Sequence, residues 1–178
     1  MGLFSHSEKL FDLQDLLNYE LKDLYSAETQ LLEALPKMED AAHSSELKKA
    51  FNTHLQETKA QRERLKEIGS MLNLDMDGEK CDAMEGLIKE GTEILDSKAA
   101  PEVRDAGLIA AAQRVEHYEI SGYGTANKFA KQLGHLEVSR LLTKSLDEEQ
   151  NTDTLLNRMA IEDINKKAIN PVHDAEKQ

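Results

Sequence analysis

Four long stretches of this chain repeat apolar residues at three- and four-residue intervals, and each breaks its row with an acidic residue near the middle. A 3.6-residue period places such residues along one side of an α-helix. The pattern therefore calls for several long amphipathic helices packed face to face, and then for a reason why acids stand in the seam. The first row is Leu10, Leu13, Leu17, Leu21, Leu24, Glu28, Leu31 and Leu35. The second is Phe51, His54, Gln61, Leu65 and Ile68, with Glu57 one turn beyond His54. The third runs Asp105, Ile109 (or Leu108), Ala112, Glu116, Glu119 and Tyr123. The fourth aligns Leu142, Glu149, Leu156 and Met159, flanked by Leu146 and Asp153.

Local signals set the expected boundaries. The first helix runs from about Glu8 to Leu35, where Pro36 lacks a backbone donor and is expected to bend or end it. Ser44 or Ser45 is a good N-cap for the second, with Glu46 in its first turn and Gly69 at its end. "CDAMEGLIKEGTEILDS" reads as a shorter helix, Pro101 suits the first turn of the next, which ends around Gly134, and the last covers about Glu137 to Ala160. No alternating strand pattern competes. The reading is all-α: a four-helix bundle with an additional short crossover helix. Residues 1–168 form its single domain and 169–178 a polar tail.

Composition excludes several classes of partner. With 22 basic against 34 acidic residues and a net charge of −12, nucleic acid and anionic membrane are poor partners and a cation is a natural one. Apolar runs such as "GLIAAA" are too short to span a bilayer. The N-terminus does not read as a secretory signal, and the single cysteine, Cys81, fits a reducing compartment, so a cytoplasmic protein is expected.

The acids carry the functional question. Ionised carboxylates gathered in a dry core repel, and each desolvated ion costs on the order of several kcal/mol. They must be exposed, protonated or gathered around cations. Iron or manganese matches carboxylate oxygens plus imidazole, and two ions neutralise a cluster that one cannot. Spacing adds a weak repeat: 29 residues separate Glu28 from Glu57 and also Glu119 from Glu148. The repeat thus favours Glu148 and the heptad favours Glu149; facing decides chemistry, so Glu149 is preferred.

At "LKDLYSAETQLLEALPKM", "HLQET", "CDAMEGLIKEG", "VRDAGLIAAAQRVEHYEISGYGT" and "LDEEQNTD" the chain resembles the bacterial YciF/YciE stress-protein family, a branch of the ferritin-like superfamily. The resemblance covers roughly residues 3 to 168. It implies a ferritin-like bundle, a homodimer and a rubrerythrin-like position for a dinuclear centre of two iron (or manganese) ions per chain. Many ferritin-like dimetal proteins carry Glu-x-x-His on the second and fourth helices. Here the second reads His54-Leu-Gln-Glu57, the reverse order, and the fourth offers Glu149 and Asp153 without histidine. The resemblance carries over Glu28, Glu57, Glu119 and Glu149 as core metal ligands, with His54, Glu116 and Asp153 as additions.

Other chemistry-bearing residues read more plainly. His117 falls off the inward stripe. Tyr25 and Tyr123 lie one turn from Glu28 and Glu119, and either hydroxyl can bond a carboxylate or simply close the core. Glu85 and Glu90 lie on the crossover helix, facing solvent or a dimer partner, with Glu90 able to reach the bundle if that helix lies across its end. Asp105 is too far from Glu116 to share its metals, and Cys81 is assigned no chemistry. Two functions follow as expectations: an iron protein of the stress response reacting with dioxygen or peroxide, ferroxidase-like if it turns over, or a non-enzymatic dimeric scaffold on the same bundle.

Overall fold

Asp12 starts the first helix. In extended conformation it accepts the Asp15 backbone N–H at 2.9 Å, and α1 spans Leu13–Ala41. The computed structural model describes residues 10–171. The expected start at Glu8 lies outside them, and Leu10 and Phe11 are exposed ahead of the helix, so Leu10 leaves the apolar row. Pro36 does not end α1. Carrying proline through a helix interior costs about 3 kcal/mol, but Leu35 and Met38 are buried in the same apolar cluster as Leu31. Burying two such side chains returns about 3–6 kcal/mol, so packing carries the helix through.

Ser44 caps α2, Ser45–Leu72, accepting the Leu47 N–H at 3.4 Å. The turn before it is held from outside: Asp105 accepts the backbone N–H groups of His43 and Ser44, each at 2.7 Å. At the far end α2 passes Gly69 and stops at Asn73, which adopts a left-handed conformation (φ 52°) while Leu74 N–H bonds back to Gly69 O at 2.8 Å. Gly69 is needed for another reason. A Cβ there would lie 2.6 Å from Met76 Cγ, where the chain folds back over the helix.

Cys81 caps α3, Asp82–Asp96, the crossover helix, which packs on the outside of α1 and α4. Pro101 opens α4, Pro101–Gln132, and a turn through Gly134 (φ 81°) leads to α5, Leu136–Met159. A short π-helical turn, Ala160–Ile164, continues into α6, Asn165–Ile169. It keeps Ala160 and Ile164 buried where the helix meets the end of the bundle. Among the described residues there is no strand, and no helix is long and apolar enough to cross a membrane.

The contacts arrange the four long helices in a square: α1 against α2 and α4, α5 against α2 and α4. It is a ferritin-like bundle with one crossover helix. Its apolar core is split in two. Leu31, Leu35, Leu47, Phe51, Leu108 and Leu156 belong to the cluster under α3, and Leu17, Leu21, Leu24, Leu65, Tyr123 and Leu142 to the other. Between them lies a polar layer.

Candidate metal centre

The layer lies where the apolar rows break. Glu28 of α1, His54, Thr58 and Gln61 of α2, Glu116 and Glu119 of α4, and Ser145, Glu149 and Thr152 of α5 are all buried there. Four of them converge: His54, Glu116, Glu119 and Glu149 each offer a ligand atom within 4.8 Å of the others. His54 Nε2 stands 3.3 Å from Glu116 Oε1 and 3.9 Å from Glu149 Oε2.

The remaining candidates sit around this group. Glu28 is fully buried and accepts a hydrogen bond from the Tyr123 hydroxyl at 2.5 Å. Tyr123 is thus the tyrosine that meets a carboxylate of the layer, while Tyr25 packs among the apolar residues of the second cluster. Glu57 and Asp153 lie outside the convergent group and are partly exposed, their side chains retaining 33% and 23% of their surface. Glu57 Oε2 is 3.7 Å from His54 Nδ1 and accepts a long contact from the Thr152 hydroxyl at 3.4 Å. Asp153 accepts from Gln113 Nε2 at 2.9 Å and faces the exposed His117 at 3.3 Å. Glu149 enters the layer, whereas Glu148 points the other way into a two-pronged ion pair with Arg64 (3.0 and 3.1 Å). Glu85 and Glu90 are exposed on α3, and Asp105 clamps the α1–α2 turn far from the layer.

Sequence reasoning placed Gln61 on the inner row but missed the hydroxyl members of the layer, Thr58, Ser145 and Thr152. Thr58 follows His54 by four and precedes Gln61 by three, so the same spacing that found His54 also points to it. Gln61 donates to Glu149 Oε1, and Arg64 donates to the Ser145 hydroxyl at 2.5 Å. Cys81 is not isolated either: its sulfur lies 3.1 Å from the Tyr118 hydroxyl, which donates to Asp23 at 2.5 Å. Burial pushes that thiol up to about 11, the opposite of an activated cysteine.

The electrostatics follow from dry like charges. Burial, then the neighbouring Glu149, holds the carboxyls of Glu28 and Glu116 well above the usual range. Burial and then Glu28 do the same to Glu119. Glu149 is raised by burial as well, with His54 and the Gln61 amide pulling the other way. Glu28 Oε2, both His54 ring nitrogens, Glu116 Oε2, both Glu119 oxygens and Glu149 Oε2 have no hydrogen-bond partner among the described residues. Buried polar atoms are ordinarily paired, so lone pairs gathered at one spot fit a bound cation. The donor set of hard oxygens and one imidazole suits iron or manganese.

A family model described as a domain of unknown function (DUF892) matches residues 12–169. The chain is 48% identical over 159 residues to protein YciF of Escherichia coli (strain K12), covering 89% of this chain and 96% of that one. The crystal structure of the E. coli stress protein YciF matches with a TM-score of 0.85 at 46% identity, over 88% of this chain and 99% of that one. YcfI from Rhodopseudomonas palustris gives 0.81 at 42% identity, over 86% and 97%. A Xanthomonas campestris protein shares the fold at 19% identity, with a TM-score of 0.71 over 89% and 96% of the two chains.

Proposed function

The chain belongs to the DUF892 family, and from that premise we propose that it is a ferritin-like stress protein holding a dinuclear iron centre in its carboxylate layer. One observation carries this reading: the unpartnered oxygens of Glu28, Glu116, Glu119 and Glu149 and the ring nitrogens of His54 share one buried layer. Among the described residues, Arg64 is the one buried Lys or Arg side chain, and it is committed to Glu148. Four carboxylates against a neutral imidazole leave a fourfold negative charge, which two divalent ions balance and a single ion does not.

Each residue then has a task. Glu28, His54, Glu116, Glu119 and Glu149 would hold the ions, and Glu57 and Asp153 stand beside them at the surface side. Tyr123 fixes Glu28, and Gln61 fixes Glu149 with one oxygen turned inward. Such hydrogen bonds orient ligands and tune the metal. An iron pair bound there supplies one-electron chemistry toward dioxygen or peroxide. The two apolar clusters above and below exclude water from the layer. The protein is proposed to work as a homodimer in the cytoplasm, in line with the family resemblance.

Metal analysis after anaerobic Fe(II) loading tests the centre. About two ions per chain are expected, with a rise in melting temperature because the ligand selects the folded state. The rival reading, a metal-free scaffold, requires less than about one ion per chain, no thermal shift, and no change in either on Glu119→Ala.

A further inference from the structure

We propose that cations reach the buried layer through the seam between α2 and α5, received at the surface by Glu57 and passed to His54. This rests on the cation-centre reading above and adds the route. Glu57 touches both solvent and the wall of the layer. Its carboxylate is one-third exposed, yet Oε2 lies 3.7 Å from Nδ1 of His54, which is itself 2% exposed and has no hydrogen-bond partner on that nitrogen. The imidazole faces two ways, Nδ1 outward to Glu57 and Nε2 inward to Glu116 and Glu149. A cation moving from Glu57 past the ring to the inner carboxylates meets successive donors about 4 Å apart, close enough for two of them to share one ion at metal–ligand distances of about 2 Å.

The rest of the seam explains why this point is the opening. Towards one end Arg64 of α2 grips Glu148 and Ser145 of α5 and closes it. Towards the other, one turn from Glu57, Thr53 and Leu155 border an open surface hollow of about 450 Å³ of mixed charge, lined by Glu46, Glu162 and Asp163 and by Lys49 and Arg158. The seam on the other side of α5 is stoppered, because Asp153 already takes the Gln113 amide and lies against His117. Among the described residues, Glu57 has only one hydrogen bond to give up, the long one from Thr152.

The test mixes the metal-free full-length chain with Co(II) in a stopped-flow instrument and follows the visible absorption of the bound ion, with metal analysis at the endpoint. Glu57→Gln is expected to slow loading by about tenfold or more while leaving endpoint stoichiometry intact, since charge at an access point acts on the association rate. Glu93→Gln removes the same charge from the exposed side of α3 and is expected to leave the rate within about twofold. An unchanged rate with a lowered endpoint for Glu57→Gln makes Glu57 part of the centre and overturns the route. Slowing by Asp153→Asn alone overturns it in favour of the other seam. Wild-type protein that takes up no Co(II) overturns the centre itself, whereas normal wild-type uptake with unaltered Glu57→Gln kinetics removes only the route.

Discussion

Replacing Glu119 by leucine should stabilise the metal-free protein, by an amount that grows with pH. Glu119 is 1% exposed, neither carboxylate oxygen has a partner among the described residues, and burial followed by Glu28 and Glu149 raises its pKa. A carboxyl raised on folding binds its proton more tightly in the folded chain. The folded state is therefore not penalised below the unfolded value of 4.5, and it loses stability as pH climbs from there toward the folded value. The cost has a ceiling, because the group can always escape repulsion by taking up a proton. At 1.36 kcal/mol per pH unit that ceiling is about 4 kcal/mol at pH 7.5 and about 1.4 kcal/mol at pH 5.5. Glu119→Leu removes the penalty, so its advantage over wild type should grow toward the higher pH, by at most about 3 kcal/mol. For a chain of this size that upper bound corresponds to roughly 6–12 °C in Tm. Calorimetry or thermal circular dichroism on chelator-treated protein at the two pH values reads it directly. Adding Fe(II) anaerobically should reverse the ranking, lifting wild type more than the variant. A variant less stable than wild type at both pH values, or a gain that does not change with pH, refutes the claim that Glu119 is an uncompensated buried acid.

Asp105→Ala should cost about 3–5 kcal/mol, because it strips charge-assisted hydrogen bonds from two backbone N–H groups in the α1–α2 turn. Denaturant unfolding measures the loss, and Fe(II) stoichiometry should not change, since the turn is remote from the layer. Cys81, buried with its thiol held near about 11, should react with a disulfide reagent far more slowly in native protein than in the unfolded chain at pH 8. Equal rates in the two states would show that the Tyr118 and Ser26 contacts around it do not hold.

The division between sequence and structure runs along the difference between facing and meeting. Periodicity alone placed Glu28, His54, Glu116, Glu119 and Glu149 on the inner sides of long helices, because a 3.6-residue repeat fixes which residues share a face. It also separated Glu149 from Glu148, one residue and about 100° apart. Helix boundaries were legible to within a few residues where a cap announces itself, as at Ser44 and Pro101. They were not legible at Pro36, where an intrinsic penalty of about 3 kcal/mol loses to burial on both sides. What a pattern cannot state is depth across a seam. Glu57 and His54 are three residues apart on one helix, yet the imidazole crosses into the layer and the carboxylate stays at its edge, because the neighbour opposite is Thr152 of α5, nearly a hundred positions away. Asp105 looked like a further acid of the stripe and is the clamp on a turn that only the fold brings to it. Likewise, that the acids of two helices and a histidine of a third fall within 4.8 Å of one another was decided by how the α1–α2 and α4–α5 hairpins register, a relation among distant residues that the tertiary contacts set.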